Sequence, residues 1–377
     1  MTATPEQTLF ASTTETFLEK QASLTHVRGL HASEVSFQPE WWQRAAELGW
    51  TSLLVPEELG GGSVSGNGVA DLALVAEKAG RTVAPGPLHP VSVVASGLVE
   101  APDGHEDAIE ALVSGELVAS WAVYEPGGPF APLAAGVTTA TRTGAGYRID
   151  GVKDRVEAGA DSGAVLVVAA SEDGLRQFLV RTDAPGVTVT PQASVDMVKR
   201  YARIEFTGVE VDETAAVGTA EQTPGIIERQ RQIALVLQCA ELVGVLDAVL
   251  AMTTAWLFDR HSFGRPLASY QALKHRVADM KMWFEACRAT TAGAVEAVAH
   301  RSREADKLVS VAKAYVAERT PIMLQDCVQL HGGIGVTWEH DLHLYLRRAI
   351  LYRAMYGSPE EHHRAVYALS RKSEATA

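Results

Sequence analysis

The strongest constraint on this chain is a change of hydrophobic period that happens twice. From the start to about Gly115, Ala, Leu, Glu and Val recur at three-to-four spacing, the texture of amphipathic helices. A Pro85-Gly86-Pro87 turn should stop the helix that ends near Arg81. From about Leu117 to Val217 the period shortens. LVASWAVY, GVTTATRT, GYRIDG, AVLVVAA, RQFLVR, GVTVTP and ARIEFTGVEV are rich in Val, Ile and Thr and bounded by Gly, Asp and Pro. Strands that follow one another with no helix between them predict an antiparallel barrel or sandwich. From about Thr223 the helical spacing returns, in long stretches at about Ile226–Arg260, Tyr270–His300 and Arg303–Leu330, then in shorter ones from Glu339 and from Pro359. The expected fold is therefore α+β. It has an N-terminal helical domain (1–115), a central antiparallel β-barrel or sandwich domain (116–222) and a C-terminal four-helix-type bundle (223–377).

That order excludes several classes. A Rossmann unit needs helices between strands, and no GxGxxG follows a strand here, so a nicotinamide site is disfavoured. A net charge of −13 repels phosphate backbones, and nucleic acid is not expected as a partner. Cys239, Cys287 and Cys327 match no metal or disulfide framework and suit a reducing compartment. His340, His343, His362 and His363 lack an evident third ligand, so no metal is expected. No apolar run reaches the ~20 residues a membrane span needs. The N-terminus lacks the basic start and apolar core of a secretory signal, which makes a cytoplasmic location the expectation.

Two stretches in the C-terminal region carry chemistry. In Arg260-His261-Ser262-Phe263-Gly264-Arg265-Pro266, followed by Tyr270-Gln271, an Arg at a helix end, a hydroxyl and a glycine turn could clamp a phosphate. The same residues could equally serve only to end a helix. In Gln329-Leu330-His331-Gly332-Gly333-Ile334-Gly335, bare backbone between helices could lie against a ligand, or form an ordinary turn.

Together, in this order and domain context, they resemble the signatures of the acyl-CoA dehydrogenase family, an R-x-x-F-G-x-P…F-Q stretch and a Q-x-x-G-G-x-G stretch. The resemblance spans essentially the whole chain and is similar to the actinobacterial branch that acts on bulky acyl-CoA thioesters, sterol side chains included. It implies FAD as cofactor. Arg260, Ser262 and Phe263 would face the diphosphate and adenine of a neighbouring subunit's FAD, with Gln271, Gln329, Gly332 and Gly333 beside it.

The resemblance also implies a carboxylate that removes the proton α to the thioester while the flavin accepts hydride from the β carbon. In the commonest arrangement that position falls here on Tyr356, followed by Gly357-Ser358. A phenol with a pKa near ~10 is a poor base at neutral pH. A minority arrangement places the base at Ala234. Glu228, Glu241, Glu360 and Glu361 lie out of register with either site, and Glu241 and Glu360 are the fallback candidates. The T-E-P-x-x-G-S-D stretch of the family reads Tyr124-Glu125-Pro126-Gly127-Gly128-Pro129-Phe130 here. Arg155 and Glu157 stand where the family offers a Trp and a Thr or Ser to the flavin ring.

The expected function is α,β-desaturation of an acyl-CoA by an FAD-associated oligomer, with this chain as the base-lacking partner of a homologous base-bearing subunit. An electron-transferring flavoprotein is the expected acceptor. The alternatives are a self-sufficient dehydrogenase with an unrecognised carboxylate, and a flavin monooxygenase or binding-only relative on the same scaffold.

Overall fold

The computed structural model describes residues 4–376 other than 32, 34, 35 and 135. Six helices come first: α1 (Pro5–Gln21), α2 (Leu24–His31), α3 (Pro39–Glu47), α4 (Gly68–Thr82), α5 (Leu88–Leu98) and α6 (Glu106–Val113). Seven strands follow, β1 (Ala119–Ala122), β2 (Thr139–Arg142), β3 (Gly146–Glu157), β4 (Ala164–Ser171), β5 (Gly174–Arg181), β6 (Val187–Gln192) and β7 (Tyr201–Asp212). Helix α7 (Thr223–Asp259), a short hairpin of β8 (His261–Ser262) and β9 (Arg265–Pro266), and helices α8 (Gln271–Ala299), α9 (Ala305–His331), α10 (Leu342–Ala354) and α11 (Pro359–Thr376) complete the chain. The chain forms two compact units, one of Gly29–Leu72 and Pro85–Ala234, the other of Met1–Arg28, Ala73–Ala84 and Leu235–Ala377.

In the first unit the sheet runs β1-β4-β2-β3-β7-β6, with β5 paired to β4. All seven segments expected from their alternation are strands. Pairing is antiparallel along β2–β3–β7–β6 and β4–β5, whereas β1 and β2 lie parallel to β4, so the sheet is mixed. The long excursion from β1 to β4, which contains β2 and β3, is the crossover that parallel pairing requires. Tyr147, Ile149, Val156, Val165, Val167, Phe178, Ile204 and Phe206 fill its core. β3 is irregular between Lys153 and Val156, where Arg155 takes φ +50°. A bulge of this kind re-aims the side chains next to it.

In the second unit α4 and α7 cross through their backbones. A Cβ on Gly80 would sit 1.9 Å from the Glu241 carbonyl oxygen, and one on Gly244 would sit 1.8 Å from that of Glu77. Only glycine permits this approach. The expectation that nothing here could span a bilayer needs correcting for α7. By length and composition it qualifies, at a mean hydropathy of 2.1, but 89% of that apolar window is buried in the fold. A core helix of a globular protein reads the same way, because protein interior and lipid ask for the same side chains.

Candidate functional site

Tyr356 ends the segment after α10 in a left-handed conformation, φ +58°, followed by Gly357 at φ +95°. Its side chain is buried at 3% exposure, and its carbonyl accepts a bond from His362 Nε2 at 2.9 Å. The aromatic ring is therefore part of the interior. Just beyond it, Ser358 and Glu361 form a reciprocal cap of α11. The Ser358 amide donates to Glu361 Oε2 at 2.7 Å and the Glu361 amide donates to Ser358 Oγ at 3.3 Å. Glu360 is exposed and pairs with Arg353 at 2.6 Å.

Glu241 is held more firmly. It lies on α7 at 5% exposure, ion-paired with Arg348 of α10 and accepting the Tyr352 hydroxyl at 2.7 Å. Arg348 is fully buried and also reaches the carbonyl of Val83, while the Tyr345 hydroxyl donates to Arg81 O at 2.7 Å. Two α10 side chains thus satisfy the open carbonyls at the end of α4. Beside this pair, Lys313 of α9 donates to Gln238 Oε1 at 2.6 Å and to the Tyr352 carbonyl. Both fallback carboxylates are engaged, one in the interior and one at the surface. In the other unit Glu228 is gripped by Arg231 at 2.9 Å, and Ala234 lends its carbonyl to His89 Nε2 at 3.0 Å.

The two glycine motifs are brought together by α7 and α9. Trp256, one turn before Arg260, stacks on His331, which precedes Gly332, with centroids 5.3 Å apart. After α7 stops, β8 and β9 pair around Phe263 (φ +52°) and Gly264 (φ +78°), the mirror-image turn favoured in tight hairpins. The Tyr270 hydroxyl fixes the hairpin through Ser262 O at 2.7 Å. Phe263 at the tip is 97% exposed, an unusual display for an aromatic in this backbone region. Gln271 opens α8, and Gln329 lies in the last turn of α9; both are exposed. A Cβ on Gly332 or Gly333 would meet nothing within 4 Å, and the Arg260 guanidinium has no ion-pair partner among the described residues. An unpaired guanidinium, a half-buried hydroxyl and open backbone have the chemistry to fit an anionic dinucleotide.

The face of β3 is built differently. Lys153 is buried and pairs with Glu125 at 2.6 Å. The Arg155 guanidinium lies 4.2 Å from the centre of the Tyr124 ring and donates to Gly128 O at 2.8 Å. Glu157, at 4% exposure, pairs with Lys199 at 2.9 Å and approaches His89 Nδ1 at 3.4 Å. Burial alone would raise the Glu157 carboxyl, but Lys199 and His89 outweigh it and hold the group below the ordinary carboxylate range. His89 and Lys199 carry no motif and escaped the sequence reading. Their signal was weak: Glu157 ends a strand already rich in charge, and sequence does not show that it is the one turned inward and in need of a counter-ion.

A family model described as Acyl-CoA dehydrogenase, N-terminal domain, matches residues 4–102, and one described as Acyl-CoA dehydrogenase, C-terminal domain, matches residues 233–368. The chain belongs to the acyl-CoA dehydrogenase family. Acyl-CoA dehydrogenase IpdE2 of Mycolicibacterium smegmatis is 28% identical over 358 residues, 94% of this chain and 96% of the relative. The ChsE4-ChsE5 complex from Mycobacterium tuberculosis superposes with a TM-score of 0.86 at 28% identity, covering 97% of each chain. A Tcur3481-Tcur3483 steroid ACAD variant superposes with a TM-score of 0.88 at 27% identity, covering 98% of this chain and 99% of that one. Members of the family are FAD-dependent oxidoreductases that act on CH–CH donors of acyl-CoA thioesters and assemble as oligomers.

Two expected results follow for an acyl-CoA dehydrogenase built this way. Charge-assisted contacts contribute about 1.5–3 kcal/mol, so Arg260→Ala should weaken FAD retention by the assembled enzyme at least ~tenfold, measured by equilibrium dialysis. Unchanged retention would remove Arg260 from the cofactor's surroundings. Tyr356→Phe keeps the buried ring and deletes only the hydroxyl. Turnover by the assembly should stay within a few-fold, whereas loss of a general base typically costs ~10²–10⁴.

Proposed function

We propose that this chain is the base-lacking member of a heteromeric acyl-CoA dehydrogenase. Its Arg260 hairpin, with Ser262, Phe263 and Gln271, and its Gln329-Gly332-Gly333 turn complete the FAD site of a homologous subunit that supplies the carboxylate. The pair desaturates a bulky, sterol-derived acyl-CoA between Cα and Cβ and passes electrons to an electron-transferring flavoprotein. The helical segment 1–115, the β segment 116–222 and the bundle 223–377 are the domains of this subunit.

One observation carries the reading. The base position holds a buried tyrosine, and both carboxylates that could replace it are already taken, Glu241 by Arg348 and Tyr352, Glu360 by Arg353. FAD supplies the hydride acceptor when bound. What this chain contributes is grip on the dinucleotide end, from side chains left free at its surface. The likeness to the ChsE4-ChsE5 complex and to a Tcur3481-Tcur3483 steroid enzyme supports a two-chain assembly and a steroid-sized acyl group.

The test is to purify the chain alone and together with a base-bearing homologue, then measure flavin content and desaturation of a sterol side-chain acyl-CoA. The expected result is one FAD per pair of chains, with turnover only in the assembly. One FAD per chain and turnover by the chain alone would overturn the reading.

A further inference from the structure

We propose that three pairings along the end of β3 hold this chain's own ring-side face shut, so that it offers a flavin dinucleotide only the surface for its adenosine-diphosphate end. The proposal rests on the function given above and adds the device that keeps the chain to its supporting role.

Lys153, Arg155 and Glu157 are all charged, and each is answered within its own unit. Lys153 reaches Glu125, and Arg155 reaches the carbonyl oxygens of Glu125 and Gly128. Glu157 reaches Lys199 and His89. Two of the three pairings tie β3 to the 124–128 loop, and the third ties it to the start of α5 and the 196–200 loop.

The chemistry of two of these pairings opposes a flavin ring. Arg155 lies over the Tyr124 ring, and a guanidinium on an aromatic face occupies the surface on which a planar ring would stack. Phe130 packs on the same Tyr124 at 5.3 Å and leaves less of it open. Glu157 stands where a small neutral hydroxyl is expected, and an ionised carboxylate can only accept hydrogen bonds. To turn toward a ring it would have to leave Lys199, whose side chain is 5% exposed and whose other contact is the carbonyl of Gly86 at 3.4 Å. Separating two ions where water does not reach is strongly unfavourable. The residues present therefore do not fit a flavin ring on this face, whereas the open glycines and unpaired Arg260 of the other unit fit a diphosphate.

The test compares FAD with ADP on the intact, full-length chain, by thermal midpoint and by flavin absorbance. The two ligands should shift the midpoint equally, and the flavin bands should match those of free FAD. No shift with either ligand would overturn the claim that the lone chain presents a surface for the adenosine-diphosphate end. A larger shift with FAD, together with perturbed flavin bands, would overturn the proposal. The complementary arm is Arg155→Trp/Glu157→Thr/Lys199→Met, which removes the stacked cation and both buried ions together. It should prefer FAD over ADP by at least tenfold and perturb the flavin spectrum. A folded variant with no such preference would show that these residues do not close the face. If that variant does not fold, the wild-type comparison still decides between the two outcomes.

Discussion

Glu241→Ala should lower the stability of this chain by about 3–5 kcal/mol, because it removes the buried carboxylate that answers the charge of Arg348 inside the protein. The guanidinium is fully buried, reaches the Val83 carbonyl at 3.4 Å and lies 5.7 Å from the centre of the Tyr352 ring. Tyr352 loses its acceptor at the same time. Urea unfolding of wild type and variant measures the effect directly. Glu241→Ala/Arg348→Met should recover part of the loss, since it removes the buried cation together with its carboxylate. This outcome also separates structure from catalysis. A variant that keeps wild-type stability but cuts turnover of the assembly by ~10²–10⁴ would make Glu241 a base.

The second large effect is a pH dependence centred on Lys313. Burial pushes its ammonium group down from 10.5 to about 7, and its two acceptors are neutral. Below about 7 both the folded and unfolded chains carry the proton, and the full penalty of burying the charge is present. Between about 7 and 10.5 the unfolded chain binds a proton that the folded chain does not. Stability must then rise with pH across that window, by up to about 1.4 kcal/mol per pH unit from this group. The clean measurement is the difference in unfolding free energy between wild type and Lys313→Met at pH 7 and pH 9, in which the other titrating groups cancel. Parallel pH profiles would show that Lys313 stays charged throughout.

The fold was legible because period is a local property. Strands at 164–171 and 201–212 declare themselves through Val, Ile and Phe whatever they pair with, and the end of α4 follows from Pro85-Gly86-Pro87. The parallel pairing of β1 with β4 was not legible, since the two segments are separated by a whole hairpin and alternation says nothing about partners. The Arg260 hairpin and the glycine turn could be found because glycine and arginine mark unusual backbone and unusual charge. The interior ions could not. Arg348 sits in Leu344-Tyr345-Leu346-Arg347-Arg348-Ala349, where sequence offers two adjacent arginines and no sign of which one turns inward. Only a partner on another helix, Glu241, settles that choice. Glu241 in turn looked like a spare carboxylate until its neighbours were placed.

The pairing of Glu157 with Lys199 also bears on how such a chain could change over generations. Each residue answers the other's charge in the interior, so altering either one first takes away a buried ion's nearest counter-charge, and breaking such a pair typically costs about 3–5 kcal/mol. Natural domains hold only about 5–15 kcal/mol in reserve. A route back to a strand that welcomes a flavin ring must cross that valley or take both substitutions in one step. A coupled pair of this kind works as a ratchet, hard to retrace once the two charges have met.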